Sequence, residues 1–309
     1  MATLYTHQES NISKTWLLML FMFALIMGVG WFLSYYYNNP AILVIAVIFS
    51  VAMNIFSYWF SDKIALSMSG AKPTFDADHG GAVQPQYIEL NRIVENLAIT
   101  AGLPKPRVYV INDAAPNAFA TGRNKNHSAI AVTTGLLAAL DRSELEGVLA
   151  HEMSHIGNKD ILISTIAVVL AGFLSIAADI FMRSSLYGFG GNRGRNDNDN
   201  GRAGGLLVFV GVALMILAPI AGMLIRLAIS RKREFLADAT GALITRYPEG
   251  LASALEKISA YQAPMNKATN ATAHLYISNP FGARALQGMH ALFMTHPPAE
   301  ARIRRLRQG

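Results

Sequence analysis

Two histidines stand four residues apart around a glutamate in His151-Glu152-Met153-Ser154-His155. On a helix, residues i and i+4 share a face, so both imidazoles can reach one metal ion. Glu152 is turned by about 100° from His151 and is badly placed to add a third ligand from the same helix. It can instead take a proton from water at that metal. Two ligands beside a carboxylate base is the arrangement of a zinc hydrolase with one Zn2+ per chain. Catalytic zinc needs a third protein ligand and an open fourth position. No histidine stands six residues after His155, which argues against a three-histidine set. Glu234, in Ser230-Arg-Lys-Arg-Glu-Phe-Leu-Ala-Asp238, is the candidate. Its spacing equally allows simple ion pairing with Arg231, Lys232 and Arg233. Asp238 lies four residues on, on the same helical face, and can accept a hydrogen bond from a ligating histidine.

The elements that must position these groups are legible around them. Asp141 followed by Glu144 forms a capping-box pattern. Leu145, Val148, Leu149, Met153 and Ile156 then make one apolar stripe, and Gly157 can stop the helix. Upstream, Tyr87, Leu90, Val94 and Leu97 recur at helical spacing and end at Gly102. Arg107–Ile111 and Ala129–Thr133 are short β-rich runs. From Arg226 the chain opens as a helix and runs to Arg307 without a clear strand. The polar parts are therefore α+β and predominantly helical.

The rest of the chain is not an ordinary soluble domain. Of 309 residues, 52% are hydrophobic and 15% charged, with no cysteine, so thiolate metal sites and cysteine nucleophiles are excluded. Thr15 to Ser61 carries no Asp, Glu, Lys, Arg or His over 47 residues. A spanning helix needs about 20 apolar residues, so this run holds two, broken at Tyr36–Pro40. Ile161–Met182 and Ala203–Ile225 are two further apolar segments, readable as spans or as buried core helices. Asp179 and Pro219 keep the second possibility open. Gly188–Arg202, rich in Gly, Asn and Arg, reads as a loop between them.

The expected organisation is a membrane hairpin (1–61), the first part of a polar domain with the metal helix (62–160), a second hairpin (161–225, loop 183–204) and the second part of that domain (226–309). Four spans return both polar parts to one side. Lys14, Lys63, Lys72, Arg142, Lys159, Arg226, Arg231, Lys232 and Arg233 flank the spans there, against Arg183, Arg193, Arg195 and Arg202 opposite. The positive-inside rule then puts the polar parts in the cytoplasm. Basic residues gathered at span ends give no support for nucleic-acid binding.

Taken in order, these residues resemble the HtpX-type membrane zinc metalloproteases, relatives of the membrane CAAX prenyl proteases. The likeness runs through the N-terminal apolar hairpin, Asn117-Ala-Phe-Ala-Thr-Gly122, Ala129–Leu137, Glu146–His155, Arg233-Glu-Phe-Leu-Ala-Asp238 and His274-Leu-Tyr-Ile-Ser-Asn-Pro280. It implies a polytopic protein of the bacterial inner membrane with a zincin-like (gluzincin) domain and Glu234 as third ligand. It also implies a zinc metalloendopeptidase that degrades damaged or misfolded membrane proteins under stress. The long loop at 188–202 departs from the pattern without touching a site position.

Substrate contacts follow less directly. Ala129, Ile130, Ala131, Val132 and Thr133 precede the metal helix as an edge strand does in zincins, where an extended substrate adds as a further strand; an ordinary internal strand is the alternative. His296-Pro-Pro-Ala-Glu-Ala-Arg302 resembles a prenyl-protease motif. His296 could donate to the oxyanion, with His274 competing for that role. Arg302 could bind Asp238 or the substrate backbone.

Overall fold

The computed structural model describes residues 4–75, 84–173, 231–269, 271–282 and 297–308. Two long helices open it, α1 (Leu4–Tyr36) and α2 (Pro40–Met68). The turn between them uses Asn38 at φ 49°. Asn39 then caps α2 through Ala41 N–H, with Pro40 in the first turn. Asn11–Tyr36 and Pro40–Met68 are each long and apolar enough to cross a membrane, and only 17% of each span's most apolar window is buried. Trp16, Leu20, Trp31, Ile45, Ile48 and Trp59 point outward. Such a continuous apolar surface suits acyl chains rather than water.

A four-stranded sheet follows, made of β1 (Ala71–Pro73), β2 (Arg107–Ile111), β3 (Ala118–Asn124) and β4 (His127–Thr133), in the order β1-β2-β4-β3. Only β2 and β4 pair in parallel. Helix α3 (Pro85–Ala101) precedes β2 and stops at Gly102, whose φ of 65° suits a glycine C-cap. After β4 come α4 (Thr134–Ala139), α5 (Arg142–Gly157) and α6 (Asp160–Phe173). The last helices are α7 (Arg231–Thr245), α8 (Pro248–Ala260) and α9 (Ala299–Gln308).

The sheet is covered on both sides. Ile130 and Val132 join Val148, Leu149 and Met153 of α5, Val94 of α3 and Leu255 of α8 in one core. Ala129 and Ala131 face the end of α2, with Ala65, Leu66 and Tyr276. This corrects the expectation for Ala129, Ile130, Ala131, Val132 and Thr133: the strand is internal, hydrogen-bonded to β2 and β3, and cannot accept a substrate strand. A strand buried on both faces has no polar face to alternate with, and the unbroken Ala-Ile-Ala-Val run is that signature. The outer strands are β1 and β3, and β3 is the one beside β4. Its Ala118 C=O already accepts from Ile277 N–H at 3.0 Å, and its Gly122 N–H donates to Thr165 Oγ1 at 3.3 Å.

The metal helix does not run on into the next apolar segment. Helices α5 and α6 meet at 87°, across a turn in which Lys159 takes φ 59°. Helix α6 packs Ile163, Ile166, Ala167 and Leu170 against Leu18 and Met22 of α1. The remainder of that apolar segment, the loop at 188–202 with its arginines, the segment Ala203–Ile225 and His296 lie outside the described residues.

Candidate metal centre

Helix α5 starts on a reciprocal capping box. Asp141 accepts from Glu144 N–H, and Glu144 accepts from Asp141 N–H, both at 2.9 Å. Its apolar stripe is wholly buried, which fixes the helix in rotation and turns His151 and Glu152 inward, 1% and 2% exposed.

Helix α7 crosses close against it. A Cβ at Gly241 would lie 3.0 Å from the His151 backbone N, so only glycine lets the two helices approach this far without a shift. Ser154 Oγ sits at the contact, donating to His151 C=O at 2.6 Å with Ala237 C=O 3.2 Å away. Glu234, Asp238 and Gly241 fall at i, i+4 and i+7 on one face of α7. That face therefore carries the prospective ligand, the carboxylate behind it and the residue that allows the approach.

The three candidate ligands converge. His151 Nε2 and His155 Nε2 are 3.2 Å apart. Glu234 oxygens lie 3.8 Å from the first and 3.6 Å from the second. Tetrahedral donors at zinc bond lengths stand about 3.3–3.4 Å apart, so the spacing fits that ion closely. Protonation points the same way. His151 Nδ1 donates to Asp238 Oδ1 at 2.9 Å, and His155 Nδ1 donates to Asp160 Oδ2 at 3.0 Å. Each ring then turns its Nε2 toward the other, with Arg302 Nη2 3.4 Å from that of His151. Two nitrogens facing at 3.2 Å need a cation between them, a proton on His155 or a metal ion in its place, and imidazoles that bind metal usually have Nδ1–H held by a carboxylate in this way.

The buried charge agrees. Glu152, Glu234, Asp238 and Asp160 face two buried guanidiniums, Arg233 and Arg302, all at most 6% exposed. Four negative and two positive groups leave a formal charge of −2 while the imidazoles are neutral, and a divalent cation would cancel it. Uncompensated buried charge is costly enough to make that cancellation important. The field is visible at His155. Burial is the largest influence there and opposes a charged ring, yet the Asp160 hydrogen bond and the charges of Glu234, Asp160 and Glu152 raise its pKa to about 9.

Arg302 enters from α9 and is 1% exposed. It donates through Nε to Asp238 Oδ2 at 2.9 Å and through Nη2 to Asp238 Oδ1 at 2.6 Å, with Nη1 reaching Ile277 C=O at 3.3 Å. Burial alone would push the Asp238 carboxyl up, but the Arg302 charge and the His151 and Arg302 hydrogen bonds outweigh it and hold it below its usual range. Of the two roles expected for Arg302, the geometry is that of the Asp238 partner. So deep a guanidinium has no surface left for substrate. His274, 3% exposed, donates from Nε2 to Ser164 C=O of α6 at 3.1 Å.

Asp160 and Arg233 were missed from the sequence. Asp160 stands five residues past His155, off the helical face. Only the sharp turn at Asn158-Lys159 brings it back to the ring. Arg233 lies next to Glu234, with its Nε 3.7 Å from Asp160 Oδ1.

Comparison with known proteins bears on this geometry. The model of peptidase family M48 matches residues 86–309. The protease HtpX homolog of Caldanaerobacter subterraneus subsp. tengcongensis is 48% identical over 306 residues, covering 99% of this chain and 97% of that protein. The homolog from Syntrophobacter fumaroxidans is 52% identical over 267 residues, 86% and 89% of the two chains. That from Pyrococcus furiosus is 48% identical over 297 residues, 96% and 94%. Among solved structures, the crystal structure of S. mikatae Ste24p aligns over 98% of this chain and 67% of that one, at 19% identity and a TM-score of 0.48.

Proposed function

This chain belongs to peptidase family M48 and is a metalloprotease, and from that premise we propose that it is a membrane-bound zinc endopeptidase working through Glu152. The observation that carries the reading is the pair of imidazoles with Nε2 atoms 3.2 Å apart, each held at Nδ1 by a carboxylate, with Glu234 completing the triangle. His151, His155 and Glu234 would hold the ion. Zinc, when bound, supplies a Lewis acid that acidifies the attacking water and polarises the scissile carbonyl.

The chain's own groups do the rest. The Glu152 carboxylate takes the proton of the attacking water and hands it to the departing amine. Asp238 and Asp160 keep both imidazoles in the tautomer that presents Nε2. Arg302 keeps Asp238 ionised and in register. His296, three residues before Ala299 in sequence, is our assignment for a donor to the transition-state oxygen. Cleaving the metal of its ligands should be reversible in kind: a chelator is expected to abolish hydrolysis of an unfolded casein-type substrate by the detergent-solubilised protein, and Zn2+ to restore it. Activity that survives complete metal removal would overturn the reading.

For substrate we propose damaged or misfolded membrane proteins, and for location a multi-pass protein of the bacterial inner membrane, with four spans and a gluzincin domain divided between 62–160 and 226–309. The two apolar N-terminal helices support the membrane; the excess of Lys and Arg at the span ends supports the cytoplasmic side. Reporter fusions near Asp113 and after Arg307 are expected to read cytoplasmic, and one at Asn196 to read the opposite face. A cytoplasmic signal at Asn196 would mean that the last two apolar segments do not span.

A further inference from the structure

We infer that Asn11, on the first apolar helix, is a positioning residue for the metal centre. The inference rests on the zinc reading above and adds a member to it from α1, 149 residues before Asp160 in sequence. Asn11 is 3% exposed. Its Nδ2 donates to Asp160 Oδ1 at 2.6 Å and to Asn158 C=O at 3.3 Å. The other oxygen of Asp160 accepts from His155 Nδ1 at 3.0 Å.

A buried carboxylate holds one orientation only when both oxygens are engaged. At Asp160, Oδ2 is spent on His155. At Oδ1 the Arg233 Nε stands at 3.7 Å, beyond good hydrogen-bond range, whereas the Asn11 amide is well inside it. The amide therefore sets the rotation of the carboxylate that sets the rotation of the ring. Its second bond, to Asn158, grips the backbone of the same turn, where Lys159 takes a left-handed conformation. One side chain thus holds both the carboxylate and the turn that presents it. A primary amide suits the task because it donates at any pH and adds no charge to a site whose balance matters.

Zinc release measures this directly. The full-length protein in detergent, loaded with Zn2+, is mixed with an excess of a colorimetric chelator, and the release rate is followed beside the zinc-induced rise in Tm. Asn11→Leu keeps the branching and the number of heavy atoms and removes the donor. Release is expected to quicken about tenfold, the low end of what outer partners of metal ligands contribute, and the zinc-induced Tm rise to shrink. A residue that merely fastened α1 would lower Tm equally with and without zinc and leave release unchanged; that result overturns the inference.

Should Asn11→Leu fail to fold, polarity reversal decides. Asn11→Asp with Asp160→Asn restores a donor and an acceptor in swapped positions, and the new amide oxygen can still accept from His155. The pair is expected to hold zinc more firmly than Asp160→Asn alone. Equal release from the two overturns the coupling. A wild-type protein that takes up no zinc would overturn the metal reading itself, and this inference with it.

Discussion

Glu152→Gln is expected to cut peptide-bond hydrolysis by about 10²–10⁴-fold, the usual worth of a general base, while zinc content stays at the wild-type level. Glutamine has the size of glutamate and can still hydrogen-bond water, but it cannot take a proton. Glu152 lies one residue from His151, turned off the face that carries both imidazoles, so its loss removes no ligand. The substitution does change the buried formal charge by one unit, from −2 to −1 counted with both imidazoles neutral, as metal binding requires. That loosens zinc somewhat, and assays at saturating Zn2+ separate this from the lost proton acceptor. Turnover at the wild-type rate, measured on protein of equal zinc content, would remove Glu152 from the mechanism.

The second large effect is on the metal itself. His151→Ala, His155→Ala and Glu234→Ala should each strip zinc and abolish cleavage, because each removes one of the three proposed protein ligands. Glu234→Ala is the most informative of the three, since Glu234 reaches the site from a different helix. Binding to the folded state alone stabilises by about 4 kcal/mol when zinc is present at a thousand times its Kd. Wild-type Tm should therefore climb with added zinc and that of the variants should not. Full zinc content in Glu234→Ala, by elemental analysis of dialysed protein, would return Glu234 to a plain partner of Arg233.

The two imidazoles and Glu152 could be read directly because helical periodicity is a local rule: four residues is one turn wherever the helix lies. The capping box at Asp141 and the stripe from Leu145 to Ile156 are local in the same sense. Asp238 was reachable by the same arithmetic, four residues from Glu234. What could not be read depended on how elements meet. Asp160 approaches His155 through a bend of 87° that no periodicity announces. Asn11 approaches Asp160 through packing of α1 against the α5–α6 turn. Arg302 was seen as a partner for Asp238 or for substrate, and only its depth on α9 separates the two. The misassigned strand is different, because the signal was there. Ala129–Val132 is apolar at every position, and that pattern belongs to a strand covered on both faces.

The bond between Asn11 and Asp160 also fixes a height. Asn11 is the first residue of the first apolar span, and its amide stands one carboxylate away from a metal-site imidazole. The reacting groups therefore sit level with one end of that helix. If the apolar helices span the bilayer as proposed, such a centre would act as a ruler for a substrate anchored in the same membrane. An extended chain rises about 3.3 Å per residue, so peptide bonds within the first few residues beyond the lipid surface are offered directly. Bonds far out on a long loop must fold back to be reached. A protease so placed would choose where to cut by distance from the membrane, and a polypeptide would be selected by being held near the surface in an extended form.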